Sequence, residues 1–206
     1  MPLCPDVESR LGSWRRELRE HVQEVIESDG SGPIGTDGDP YPDGEQVGFA
    51  PLLVLFGGRR VTDTDRSALG PAAAVEFARL HLREHGALVR EDGTPPTTPL
   101  LAGDLYRALA SRFVVEQEFP PSRRLEALDI LSRSVLDQVE AIGLDESIDF
   151  DWLLADGAVE ISTVLFALSD DQRQTLRAYT RRLRSSRRDS RSLSSGKTPS
   201  ENAIED

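Results

Sequence analysis

Cysteine is almost missing from this sequence: Cys4 is the only one in 206 residues. That excludes an internal disulfide framework and a cysteine-rich zinc site within one chain, and Cys4 reads as an inert thiol. Lysine is equally scarce, since Lys197 stands alone and every other basic residue is arginine. No apolar run approaches the roughly 20 residues of a membrane span, and the first residues lack a signal-peptide hydrophobic stretch. Strand signals are nearly absent too. Basic charge is short overall, with 24 Lys+Arg against 36 Asp+Glu and a net charge of −12, so nucleic acid is a poor partner. An acid-rich, lysine-poor composition looks like that of a cytoplasmic protein from a high-salt organism, where screening makes self-repulsion tolerable. These absences leave an all-α, single-domain multi-helix bundle, cytoplasmic, with residues 1–184 as the helical domain.

What is present fits that class. Residues 6–28 read as an opening helix whose stripe is Val7, Leu11, Trp14, Leu18, Val22, Val25 and Ile26. Residues 29–45 form a loop of glycine, proline and aspartate. It lacks the Lys-Ser/Thr ending of a phosphate loop, and Asp37, Asp39 and Asp43 do not have calcium-loop spacing. Residues 46–57 are apolar almost throughout and read as a buried helix, although a strand also fits. A helix from about Asp63 to His85 follows, with Pro71 a possible break and Gly86 placed as its C-cap. Residues 90–97 are a turn.

Thr98 to Phe113 is the most informative helix. Leu101, Leu105, Leu109 and Phe113 recur every fourth residue and predict one buried face. Thr98 suits the cap and Pro99 the first turn. Gly103 inside this region points to close approach by another helix, because a mid-helix glycine costs about 1 kcal/mol relative to alanine. After Pro120-Pro121, residues 122–142 predict a helix with Leu125, Leu128, Leu131, Val135, Leu136 and Val139 inward. Helices at 150–167 and from Ser169 to about Arg184 complete the chain, the last capped by Ser169 with Asp170 and Asp171. Residues 185–206 read as a disordered Ser/Arg-rich tail. Eight arginines lie between Arg173 and Arg191. They suit a helix C-terminus and solvated tail, or a patch for a phosphate group or acidic partner.

One motif has metal-ligand form. His81-Leu82-Arg83-Glu84-His85 places two histidines four apart on one helical face with a glutamate beside them. That is the pattern of inverted zinc metallopeptidases, and Glu160 is the sort of further ligand such a site needs. The ordinary alternative is that His85 occupies a last helical turn, where a cation is favoured.

The order Leu101-Ala102-Gly103-Asp104 resembles the Leu-Ala-Gly-Asp segment of trans-polyprenyl diphosphate synthases, the all-α isoprenyl synthase family. Its surroundings agree in order. Gly44 to Leu55 is similar to the family's Gly-Lys-Arg-x-Arg-Pro-x-Leu helix start. Ala72-Ala73-Ala74-Val75-Glu76 resembles its Ala-x-Ala-x-Glu helix. Glu91-Asp92-Gly93-Thr94-Pro95 stands at its Arg-Arg-Gly-x-Pro turn, so Gly93 and Pro95 join residues 101–104 as family scaffold. Gln138 and the helix holding Gly157-Ala158 fall where later family helices begin. The collinear stretch covers roughly residues 40–185.

The chemical positions of the family differ. The first aspartate-rich motif is replaced by His81 to Val89, without aspartate, and the second would lie beyond the last residue. The basic residues that grip isopentenyl diphosphate are Glu45, Gln46 and Ala50 here, the turn arginines are Glu91 and Asp92, and a later Lys-Thr is Ala155-Asp156. Ionising an allylic diphosphate needs divalent metal on the leaving pyrophosphate. The resemblance therefore implies a shortened, non-catalytic homologue with no cofactor. Its expected role is an accessory subunit, partnered by a full-length polyprenyl diphosphate synthase or by itself. Asp104 is expected to belong to the scaffold and not to hold metal. Three alternatives stay open: an isoprenoid-diphosphate enzyme with a metal site rearranged around His81, Glu84 and His85; a zinc hydrolase on the same residues; or a helical interaction module without isoprenoid link.

Overall fold

The computed structural model describes residues 5–28, 40–41, 45–61, 66–90, 97–142 and 150–194. These residues form α1 (Pro5–Ser28), α2 (Phe49–Val61), α3 (Arg66–Arg90), α4 (Thr97–Val115), α5 (Pro121–Ile142), α6 (Phe150–Phe166) and α7 (Asp170–Ser194). No strand occurs among them, so the all-α expectation is met. Gly93 and Pro95, most of the 29–45 loop with its three aspartates, Cys4, and residues 195–206 lie outside the described residues.

Two helices form the centre. Residues Ala50 to Leu55 of α2 are buried on every side, which explains why this segment has no alternation to read: it has no solvent face. On α3 the buried set is Ala68, Ala72 to Val75, Phe77, Ala78, Leu80 and Leu82. Packed around these two are α1, through Leu18, Val22 and Ile26 at fourth-residue spacing, and α4, α5, α6 and α7. Arg59 ties α2 to α1 by donating to Glu17 at 2.7 Å and lying 4.7 Å over the Trp14 ring. Phe56 stacks on Tyr179 with ring centroids 5.4 Å apart, anchoring α7 on α2.

Pro71 does not divide α3. It sits near the helix start and removes one backbone bond there, while the residues around it are buried. Gly86 is not a C-cap either: it is buried inside α3, which continues to Arg90. A glycine penalty of about 1 kcal/mol is too small to stop a helix that is packed along its length.

Small residues decide which faces turn inward. On α4 the buried set is Ala102, Gly103, Tyr106, Leu109, Ala110 and Val114, while Leu101 is 47% exposed. The inward face is thus roughly a quarter turn away from the leucine stripe expected from the sequence. On α5 the buried residues include Ala127 and Leu131, while Leu125 and Leu136, both expected inward, are 66% and 63% exposed. Glycines on α4 and α2 admit a neighbouring side chain where a Cβ would clash. A Cβ added at Gly103 would meet the His85 ring at 2.4 Å, and one at Gly58 would meet the Ala68 Cβ at 2.5 Å.

The α6–α7 connection is a built corner. Leu168 N–H donates to the Thr163 carbonyl at 3.1 Å, the six-to-one bond of a helix C-terminal lock, and Ala167 takes φ 50° where glycine is usual. Ser169 and Gln172 then bond each other reciprocally, Gln172 N–H to Ser169 Oγ at 3.3 Å and Ser169 N–H to Gln172 Oε1 at 2.8 Å. This capping box confirms Ser169 as the start of the last helix. That helix runs to Ser194, past the Arg184 end expected from composition. Replacing Ala167→Gly removes the left-handed strain and is expected to raise stability by about 0.5–1 kcal/mol in urea melts; an unchanged or lowered midpoint counts against this geometry.

Candidate functional site

Where the chain enters α2, it is tied to α3 by a ladder of charges. Glu76 is fully buried and Arg79 nearly so. They form a two-pronged pair, Arg79 Nε to Glu76 Oε2 at 3.0 Å and Arg79 Nη2 to Glu76 Oε1 at 2.8 Å. The remaining Arg79 nitrogen donates to Glu45 Oε1 at 2.7 Å, and the Gly48 N–H donates to Glu76 Oε2 at 3.1 Å. Arg83, one turn on, donates to the other Glu45 oxygen, to Glu84 and to the Pro40 carbonyl. Buried Tyr41 lies under the Arg19 guanidinium at 5.0 Å. Burial, with the nearby Glu76 charge, pushes the Tyr41 hydroxyl pKa far above its usual value. Burial disfavours the Arg83 cation, but Glu84 and Glu45 more than restore it.

Glu45, which stands where the resemblance expects a cation, is therefore a paired charge. Its carboxylate bridges two guanidinium groups. Gln46 is engaged as well, accepting from Arg15 at 3.0 Å, and Ala50 is buried. The sequence reading missed Arg79 and Arg83. The signal was available in Glu76, Arg79 and Arg83, which lie three and four apart on one helix.

The His-x-x-Glu-His residues are brought together without forming a ligand set. The His81 and His85 rings meet edge to face at 4.3 Å. His81 Nδ1 is 2.9 Å from the Gly103 carbonyl, so Nδ1 carries the proton and donates. Glu84 is held by Arg83. Glu160 sits on α6 between Arg173 and Arg177. Burial opposes its ionisation, yet those two hydrogen-bonded arginines hold its pKa below the usual value. Among the described residues no group of three or more His, Cys, Asp or Glu is placed to hold a metal ion. Asp104 is exposed, 3.7 Å from His85 Nε2. Ala102 and Gly103 are buried in the α3–α4 contact, and Leu101 is at its edge.

Solved structures supply the comparison. The chain superposes on a geranylgeranyl pyrophosphate synthetase from the archaeon Geoglobus acetivorans with a TM-score of 0.58 at 19% identity, over 82% of this chain and 64% of that one. A geranylgeranyl pyrophosphate synthetase from Pyrococcus horikoshii Ot3 gives 0.61 at 18% identity, over 84% of this chain and 63% of that one. This is the isoprenyl diphosphate synthase fold. A geranyl diphosphate synthase small subunit from Antirrhinum majus also matches, at 0.58 and 19% identity over 82% of this chain and 79% of that one. The chain spans under two thirds of the length of the two archaeal synthases. No family model matches the sequence, and no curated protein matches it. On the isoprenyl synthase frame, the charge ladder occupies the segment that resembles the family's Gly-Lys-Arg-x-Arg start and the helix that resembles its Ala-x-Ala-x-Glu stretch. Ala155, where the resemblance expects lysine, is buried, and Asp156 is exposed.

Two outcomes follow from this geometry. Glu76→Gln leaves Arg79 buried without its counter-charge and is expected to destabilise the fold by about 3–5 kcal/mol in denaturant melts, whereas the double replacement Glu76→Leu with Arg79→Met recovers most of that loss; equal losses in both would refute a charge-based cost. Burial, then the neighbouring His85, lower the His81 pKa from 6.5, and burial lowers that of His21. The folded chain thus favours neutral rings, so the unfolded chain binds more protons below about pH 6.5. Stability is expected to fall as pH drops through 6.5 and to level off below the folded-state values. His81→Asn keeps an N–H for Gly103 and should flatten part of that slope; an unchanged slope would show that His81 does not contribute.

Proposed function

We propose that this chain is a non-catalytic relative of the polyprenyl diphosphate synthases, an accessory subunit that partners a catalytic synthase in isoprenoid biosynthesis. The observation that carries the reading is the Glu45 carboxylate lying between Arg79 and Arg83. In the resembled family this entry segment carries the cations that grip a diphosphate. Here it carries an anion, and the cations of the adjacent helix are already occupied by it. An arriving diphosphate would have to displace a carboxylate bonded to two guanidinium groups while approaching Glu76 and Glu84. Metal would find no cluster of three carboxylate, histidine or cysteine ligands among the described residues. The likeness to a geranyl diphosphate synthase small subunit, matched over more of its length than the archaeal enzymes, supports a subunit role.

The test has two arms. The purified chain, incubated with magnesium, labelled isopentenyl diphosphate and an allylic primer, is expected to form no condensation product and to release no pyrophosphate. Affinity-tagged chain expressed in its own cells is expected to recover a full-length synthase, whose product length changes when the chain is added back. Turnover by the chain alone would overturn the non-catalytic reading, and recovery of no synthase would overturn the partnership.

A further inference from the structure

Among the described residues, the large apolar side chains left exposed are Leu100, Leu101, Val115, Leu125 and Leu136. All five lie on α4 or α5. Exposed leucines scattered singly need no explanation, but these are ordered along both helices. On α4, Leu101, the exposed Ala108 and Val115 follow one another at seven-residue steps, with the half-buried Leu105 beside them. At 100° per residue these four positions fall within an arc of roughly 80°, on the side away from buried Gly103, Tyr106 and Ala110. On α5, Leu125, Asp129, Ser132 and Leu136 span an arc of roughly 60°, on the side away from buried Ala127 and Leu131. A surface helix needs one apolar side to meet its core. Here α4 has a second.

The two stripes belong to one surface. At one end of the bundle a Cβ at Gly70 would meet the Gln117 side chain, Phe119 meets Phe166 edge to face at 5.5 Å, and Arg123 reaches the Leu165 carbonyl. From that end α4 follows α3 back to the contact of Gly103 with His85, and α5 follows α6 to the contact of Ser134 with Gly157. The two helices therefore run antiparallel, in contact with each other and both with α3. Ala108 on α4 and the Ile130–Leu131 step on α5 stand at about the same height above the turn between them.

We propose that the outer face of α4 and α5 docks on the same face of a second copy of this chain, about a two-fold axis crossing α4 at Ala108. Such an axis sets each helix antiparallel to its own copy, so the surface must be complementary to itself. It is. Leu101 meets Val115 of the second copy, Leu125 meets Leu136 of the second copy, and Asp104 meets Arg112 of the second copy, an acid on a base. The short Ala108 at the axis lets the two α4 helices approach closely. The surface is also nearly neutral, with six acidic and five basic residues from Thr97 to Asp137 in a chain of net charge −12. Arg112 with Glu116 and Arg133 with Asp129 already pair along their helices. Two copies of so acidic a chain meet here with little repulsion, whereas a strongly charged partner gains little. Two helices about 30 Å long at a usual spacing of about 9 Å offer on the order of 600 Å² per copy, which reaches the size of a small specific interface. The contact needs no synthase, so its failure leaves the accessory-subunit reading untouched.

The experiment measures the mass of the full chain by light scattering and sedimentation over a concentration series, at low salt and at about 1 M salt, where exposed ion pairs are screened but apolar burial is not. A concentration-dependent dimer that persists at high salt is expected. Leu125→Glu with Leu136→Glu, both at exposed positions, is expected to weaken association about tenfold or more with the thermal melt of the monomer unchanged. For the axis, a chain carrying Cys4→Ser and Ala108→Cys is expected to link into a disulfide dimer on mild oxidation. Gln174→Cys on α7, in the same Cys4→Ser background, is expected to stay monomeric on oxidation. A monomer under all conditions overturns the proposal, as does a dimer that survives the two glutamate substitutions or one that links at position 174 and not at 108. A chain that is monomeric alone but binds a full-length synthase, and loses that binding in the glutamate variant, would overturn it in favour of the synthase as occupant of this face.

Discussion

The buried pair of Glu76 and Arg79 fixes how the chain enters its own core. A carboxylate with no exposure and a guanidinium with almost none are tolerable inside a protein only as partners with their remaining sites filled. Here the filling comes from elsewhere: Gly48 N–H takes a lone pair of Glu76, and Glu45 takes the free edge of Arg79. Both lie in the four residues ahead of α2. The ion pair on α3 therefore sets the path of that segment and the starting point of α2. Since α2 contacts α1, α3, α6 and α7, the placement of those helices depends on this entry. Such a pair adds little net stability compared with an apolar pair of the same volume, but it specifies one arrangement, because any other leaves a charge unpaired.

The fold class was legible because it rests on periodicity, which a single sequence carries. α1 shows this best: Leu18, Val22 and Ile26 are buried as their spacing predicts. The inward faces of α4 and α5 were misread for one reason. The readings of both helices were centred on leucine, whereas the contacts are centred on glycine, alanine and serine. Gly103 admits the His85 ring, and Gly157 of α6 lies so close to Ser134 of α5 that an added Cβ would fall 2.2 Å from its Oγ. Close packing gains many weak contacts from short side chains. A hydrophobicity pattern counts those residues for almost nothing. Gly103 was the exception, legible because a mid-helix glycine carries a cost that needs a reason.

The candidate site was legible in which residues stand there and not in how they pair. Reading down the chain shows that Glu45 stands where the resemblance expects a cation. It cannot show that Arg79 and Arg83, 34 and 38 residues later, close on that carboxylate. Pairing over such separations is a property of the helix arrangement, not of any local pattern. The histidine motif failed in the opposite direction. Its spacing does bring two imidazoles together, as the pattern requires. The decisive facts are tertiary: His81 gives its Nδ1 proton to a carbonyl on α4, and Arg83 takes Glu84. A three-residue pattern specifies a face, and the partner helices decide what that face can hold.

The helix arrangement of this molecule is shared with proteins whose side chains are largely different. Identities of 18% and 19% accompany superposition over more than four fifths of the chain, so the helix order is retained with largely different side chains. A fold supplies positions, and an activity needs particular groups at them. In this chain the polar groups at the α2 entry are matched to one another: two guanidinium groups against three carboxylates, with a backbone N–H and a carbonyl completing the set. Binding an anion requires an excess of donors, and binding a cation requires an excess of acceptors with room around them. A set whose members satisfy each other offers neither. A single cation placed at position 45 would face Arg79 and Arg83, leave them without their carboxylate and leave the interior with more repulsion than before. The charges at this entry are therefore coupled: a change at one of them leaves another without its partner, and the cost falls on the stability of the fold.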